Sequence, residues 1–236
     1  MKNWLGLSAT GFALVASVAM SVGLVVSALP SPPTEAEPVE NALMYDTLPY
    51  YVKNDLRPRW HGANQRHITG MKLRDQHNAV FDEKMFSQGP TVVNFFFSGC
   101  TTVCPVSMEL LSLTRKDLAA EAPSFLSISV TPLADNPATL AGYAKKLALP
   151  DDWHLATGVP RQVFDMAKEA LLTDIETPGP DGLPPHTERA LLVDTEGRIR
   201  GIYNANEATD LMRLRYDLRR LKSEVRQGNK TPGENS

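Results

Sequence analysis

The chain has 236 residues, of which 42% are hydrophobic and 22% charged, with a formal net charge of −3. This composition excludes a disordered or fibrous chain and is enough for one sizeable core. The slight net acidity excludes a broad basic field of the kind that attracts nucleic acid, so no nucleic-acid partner is expected.

After Lys2 no charged residue occurs before Glu35, and Leu5 to Leu29 is almost wholly apolar or small. That stretch is longer than the apolar core of about 7–15 residues usual in a signal peptide and approaches the roughly 20 needed to span a bilayer. Residues 1–29 therefore read as a membrane anchor, with a signal peptide cleaved after Ala28 as the alternative. Either way the remainder is exported. Lys2 is a positive-inside cue that puts the domain in the periplasm or an equivalent extracytoplasmic space, where disulfides persist. Residues 30–60 read as a tether and wrapping segment: Pro30 to Glu40 is rich in proline and acid, and Leu48 to Trp60 sets aromatics among polar residues. The folded domain is expected over 61–226.

Within it, His67 to Asp75 and Ala79 to Phe81 flank the polar turn Gln76-His77-Asn78 as a short hairpin. Val92 to Phe97 is apolar except for Asn94, which suits a strand buried on both faces. It stops at a loop carrying Cys100 and Cys104, the only two cysteines. From Val106 the spacing of Leu110, Leu113 and Leu118 predicts a helix packed on a sheet, with Pro105 in its first turn. The thiols thus lie between a strand end and a helix start, where free N–H groups and the helix dipole favour the thiolate.

Phe125 to Val130 is a second buried strand, and Asn136 caps a helix running through Leu147 with Pro137 at its first position. Trp153 to Ala156 is a third strand and Val159 to Ala170 a further helix. A loop rich in proline and glycine, Thr177 to Pro185, brings in His186. Ala190 to Asp194 and Ile199 to Tyr203 flank the Glu196-Gly197 turn as an antiparallel hairpin. A last helix from Ala208 carries the apolar stripe Leu211, Leu214, Leu218, Leu221 and Val225. Its cationic side chains Arg213, Arg215, Arg219, Arg220 and Lys222 read as a solvated face, and residues 227–236 as a disordered tail. The alternation of strand and helix predicts a parallel sheet core with right-handed crossovers, and with it the α/β class.

A disulfide between Cys100 and Cys104 would close too small a loop to restrict the unfolded chain much, and structural zinc normally needs four ligands. Position favours a reactive dithiol. Among the five histidines, His61, His67, His77 and His154 read as surface or satisfied residues. His186 lies just before a core strand, at the sheet edge where the cysteine loop is expected to emerge. Two thiolates and an imidazole make a soft donor set suited to copper, above all Cu(I).

Three segments carry a resemblance. Phe95-Phe96-Phe97-Ser98-Gly99-Cys100-Thr101-Thr102-Val103-Cys104-Pro105, the segment ISVTP with Asn136-Pro137 beyond it, and PHTERALLVDTEGRI resemble the Sco/SenC family of thioredoxin-fold copper proteins, over about residues 65 to 225. The resemblance implies a thioredoxin-like fold with a central mixed sheet flanked by helices, preceded by an N-terminal membrane anchor. It implies one copper held by Cys100, Cys104 and His186, with Cys100 and Cys104 as a redox-active dithiol. The implied role is that of a metallochaperone or thiol-disulfide protein, delivering copper to the dinuclear copper site of cytochrome c oxidase or reducing the cysteines of that site. Its implied partners are the copper-accepting oxidase subunit and an upstream copper donor or thiol reductant, and its implied place is the inner membrane with the domain facing the periplasm.

The sequence departs from the family pattern in three places, one of them the charges of Glu188 and Arg189 where the following strand usually starts apolar. Thr101-Thr102 stand where family loops often read Pro-Asp, and Pro185 precedes His186 where an acid often stands. Thr101 to Pro105 also resembles the peroxidatic segment of peroxiredoxins, which would make Cys104 a peroxide-reducing nucleophile, and Arg189 before ALLVD resembles their thiolate-stabilising arginine, one residue out of register. A generic thioredoxin-like disulfide reductase is the third reading, although it would want C-x-x-C.

Overall fold

The computed structural model describes residues 47–52, 56–61, 63–171 and 188–228. The expected anchor, the tether up to residue 46, the 177–185 loop with His186, and residues 229–236 lie outside the described residues.

The core is a seven-stranded sheet in the order β4-β3-β7-β6-β5-β8-β9. Within it, β5 (Thr91–Phe96) is buried at every position, as its apolar run predicts. It runs parallel to β6 (Ser124–Ser129), which runs parallel to β7 (Trp153–Gly158). On its other side β5 pairs antiparallel with β8 (Arg189–Val193), which forms a hairpin with β9 (Ile199–Asn204). Gly197 turns that hairpin with φ +79°, a conformation that L side chains rarely adopt. The other edge is the hairpin of β3 (Leu73–Asp75) and β4 (Val80–Phe81).

The helices are α1 (Val103–Asp117), α2 (Pro137–Lys146), α3 (Pro160–Leu171) and α4 (Ala208–Gly228). The result is the expected α/β architecture, a mixed sheet flanked by helices. β7 runs two residues beyond Ala156. Helix α4 continues through Gly228, so Gln227 and Gly228 belong to it rather than to a disordered tail.

The buried face of α1 differs from the sequence reading. Cys104, Ser107, Met108, Leu111 and Thr114 turn inward, while Leu113 is 49% exposed. Polar residues occupy part of the inner face because they find partners there: the Ser107 hydroxyl donates to Asn206 Oδ1 at 2.6 Å. The α4 stripe holds as expected, with Leu211, Leu214, Leu218 and Leu221 all buried. The cationic face of α4 is not merely solvated. Arg215 pairs with Asp117, Arg219 Nε lies 2.7 Å from Glu121 Oε1, and Arg213 sits over the Tyr203 ring. Helix α4 is thereby joined to the C-terminal end of α1.

The wrapping segment contributes to the core. Leu48 is buried, and Arg200, itself 3% exposed, donates to the carbonyls of Leu48 and Pro49. Arg200 also reaches Glu224 at 2.7 Å and Asp194 at 3.3 Å, with its guanidinium stacked over Tyr50. Behind Leu48, β1 (Tyr50–Tyr51) and β2 (Pro58–Arg59) form a separate two-stranded sheet.

Candidate dithiol site

The site begins with the way β5 ends. Asn94, the one polar residue in the strand's interior, is anchored by the Ser127 hydroxyl at 2.6 Å, and Ser127 in turn accepts from Trp153 Nε1 at 2.9 Å. A satisfied polar group of this kind fixes the register of three neighbouring strands. Beyond Phe96 the chain turns, with the Cys100 N–H donating to the Phe97 carbonyl at 3.2 Å, and α1 starts at Val103.

Thr102 stands at the N-cap, yet its side chain makes no capping hydrogen bond. Cys100 does that work instead. The Cys104 N–H, one of the orphan donors of the first turn, points at Cys100 Sγ at 3.3 Å. Both thiols are free and nearly buried, with Cys100 5% and Cys104 9% exposed.

The two sulfurs differ sharply. Burial works against the Cys100 thiolate, but hydrogen bonds from Cys104 and Thr102 outweigh it and hold the Cys100 thiol below its ordinary range. Burial pushes the Cys104 thiol up to about 12, helped by its own hydrogen bond to Cys100 and by the nearby charges of Cys100 and Asp135. The expectation that a helix start favours the thiolate therefore holds for Cys100 and fails for Cys104, where desolvation exceeds the effect of the helix terminus.

Two residues that the sequence reading missed complete the surroundings. Asp135 is 1% exposed, and its carboxylate accepts from the Ser98 N–H at 3.1 Å and the Ser98 hydroxyl at 2.5 Å. Tyr143, stacked on Phe96 at 5.4 Å, has a buried hydroxyl without a hydrogen-bond partner among the described residues. Burial, followed by the charges of Cys104, Cys100 and Asp135, pushes that phenol up. No local pattern marks either residue; Asp135 in particular reads as an ordinary turn residue ahead of the Asn136 cap.

Cys104 also lines a cavity of about 20 Å³ with Asn94, Ser107, Glu188 and Arg189, enough for roughly one water. His154 lies elsewhere, its Nδ1 3.1 Å from Asp75 at the β3–β4 hairpin. His67 Nδ1 bonds the Gln65 carbonyl. Among the described residues no group of three or more His, Cys, Asp or Glu converges to hold a metal, and no helix is long and apolar enough to cross a membrane. The structure thus brings Cys100 and Cys104 together, while His186 lies outside the described residues.

The sequence profile of the SCO1/SenC family matches residues 61–221. A curated relative, the SCO1 protein homolog of Bacillus subtilis, is 27% identical over 122 residues, which are 50% of this chain and 63% of that protein. Among solved structures, BsSco, a member of the Sco family of cytochrome c oxidase assembly proteins with an identified disulfide switch, superposes with a TM-score of 0.59 at 22% identity. That match covers 67% of this chain and 94% of BsSco. ScoI of Bradyrhizobium japonicum with copper bound superposes with a TM-score of 0.53 at 24% identity, over 65% of this chain and 99% of that one. At these identities the structural likeness is one of fold.

Proposed function

The chain belongs to the SCO1/SenC family, and from that membership we propose that it carries copper as cargo and exchanges electrons through the Cys100–Cys104 pair. Its target would be the dinuclear copper site of cytochrome c oxidase, to which it delivers copper or whose cysteines it reduces. The observation that carries this reading is the Cys104 N–H donating to Cys100 Sγ at 3.3 Å. One thiol is held below its ordinary range and the other lies within reach of it. Two related proteins lend support, one described with a disulfide switch and the other with copper bound.

The donor set fits the cargo. Two thiolates are soft ligands that match Cu(I), and the third ligand in this reading is His186. Glu188, two positions further along the chain, lines the cavity at Cys104, which supports that assignment. Residues 1–29 would anchor the chain in the inner membrane with the domain on the periplasmic side. Only the reduced pair can bind copper, so cargo loading is coupled to redox state.

For thiol reduction the order of events follows from the two environments. The Cys100 thiolate attacks one sulfur of a partner disulfide and expels the first partner thiolate. Cys104 then gives up its proton and attacks Cys100 Sγ, expelling the second partner thiolate. Two electrons pass to the partner and the protein is left with one disulfide. The peroxidase reading needs a thiolate at Cys104, and a thiol pushed up to about 12 argues against it.

The test is a titration of the reduced full-length chain in detergent with Cu(I) against a competing chelator. One tightly held copper per chain is expected, lost in Cys100→Ser and in Cys104→Ser. Absence of tight binding in the parent chain would refute the copper role.

A further inference from the structure

We propose that Asp135 is the positioning residue of the dithiol, a carboxylate that clamps the cysteine loop through Ser98. This inference rests on the reading of Cys100 and Cys104 as a redox pair. The carboxylate accepts four hydrogen bonds: from the Ser98 hydroxyl to Oδ1 at 2.5 Å, and to Oδ2 from the Ser98 N–H at 3.1 Å, the Ser129 hydroxyl at 2.5 Å and the Thr131 hydroxyl at 2.9 Å. Ser129 ends β6 and is the register partner of Phe96, the last residue of β5. Asp135 therefore stitches the ends of the two central strands together at the point where the cysteine loop departs.

The clamp acts on the thiols through one short stretch of backbone. Ser98 follows Phe97, whose carbonyl receives the Cys100 N–H and whose backbone N–H lies near enough to Cys104 to favour its thiolate. With Ser98 held at both its N–H and its hydroxyl, Phe97 is fixed, and so are the turn carrying Cys100 and the donor facing Cys104. Position within the chain adds rigidity, because Asp135 directly precedes Asn136, which caps α2 by accepting the Thr139 N–H at 3.0 Å. Two thiols held in contact form a disulfide without a loop search, whereas a loosened loop lowers the effective concentration of one thiol at the other.

The quantity that reads this is the thiol–disulfide equilibrium with glutathione. In that reaction one glutathione disulfide accepts two electrons from the dithiol, leaving two glutathione thiols, which carry the two protons, and one Cys100–Cys104 disulfide. The full-length chain in detergent is equilibrated over a range of glutathione ratios, and the oxidised fraction is read by mass after alkylation. Asp135→Ala is expected to lower the equilibrium constant about tenfold or more, since the loop loses every bond of the clamp. Asp135→Asn is the discriminating variant. Its amide oxygen can take the Oδ2 position while its NH₂ donates to a rotated Ser98 hydroxyl, so it should stay within about threefold of the parent. Ser98→Ala, which deletes one bond of four, should fall between Asp135→Asn and Asp135→Ala.

Equal constants for the parent and a folded Asp135→Ala would overturn the clamp. A drop as large in Asp135→Asn as in Asp135→Ala would also overturn it, because charge and not position would then set the equilibrium. If Asp135→Ala fails to fold, Ser98→Ala decides: a constant lowered from the parent's supports the clamp and an unchanged one refutes it. A parent chain that forms no Cys100–Cys104 disulfide at any glutathione ratio would instead sink the functional reading, and this inference with it.

Discussion

Cys104 donates its backbone N–H to Cys100 Sγ at 3.3 Å, so that a sulfur takes the place of a capping side chain at the start of α1. The consequence is an asymmetric pair. The loop cysteine is stabilised as an anion, and the helical one keeps its proton up to about 12.

Alkylation should expose that asymmetry. In the reduced protein, iodoacetamide is expected to label Cys100 well ahead of Cys104 between about pH 7 and 9, because only the thiolate reacts and unperturbed thiols titrate near 8.5. The Cys100 rate should level off at a pH below that of an ordinary thiol, whereas the Cys104 rate should still be climbing at pH 10. Mass spectrometry of peptides from a timed quench gives both rates. Indistinguishable rates for the two residues would contradict the division.

Copper affinity should depend on His186. His186→Ala is expected to weaken Cu binding by at least about 10 to 100-fold, the loss attributed to disturbed outer-shell groups, because here a ligand itself is removed. Disulfide formation should persist. His154→Ala serves as the control: it removes a partner of Asp75 at the β3–β4 hairpin and should leave copper affinity unchanged. A chelator competition in which His186→Ala matches the parent would remove histidine from the ligand set.

Arg200 should be among the most damaging surface-distant residues to truncate. Arg200→Ala takes the guanidinium from Glu224, leaves Asp194 to Arg198 alone and frees two carbonyls of the wrapping segment, which predicts a loss of about 3 kcal/mol in denaturant unfolding. Cleavage by a nonspecific protease near Leu48 should accelerate in parallel. For the same reason, removal of the first 40 residues should leave the fold intact, whereas removal of the first 52 should not. Equal melting of the two truncated forms would refute the part assigned to Leu48.

Ser127→Ala tests the polar network under the site. Trp153 Nε1 and Asn94 Oδ1 would both lose a buried partner, at a cost of about 1–3 kcal/mol. The altered environment of Trp153 should show in its fluorescence. A variant as stable as the parent would mean that water enters and replaces the hydroxyl.

Much of the fold was legible because it is written in local periodicity. The apolar run through Val92 and Phe96, the Asn136 cap ahead of Pro137 and the leucine stripe of α4 each follow from neighbouring residues, and all three stand in the structure. The placement of Cys100 and Cys104 between a strand end and a helix start is of the same kind. Leu113 shows where such reading stops: counting leucines misplaced the inner face of α1, because Ser107 and Thr114 pack inward, Ser107 on a partner that arrives from the far end of the chain.

Local pattern was enough for the main strands and helices, their order, and the meeting of the only two cysteines at a helix start, since these depend on backbone preference and on the period of apolar residues; it missed the small β1–β2 sheet in the wrapping segment. Packing between distant segments alone decided which thiol is held below its ordinary range and which is pushed up. It also decided that Asp135 is buried under the loop, that the buried Tyr143 phenol feels the charges of the thiols, and that Arg200 holds the segment at Leu48. The physical reason is common to all four: desolvation and buried hydrogen bonds arise only when residues distant along the chain exclude water from one another, and no local pattern records which partner will arrive.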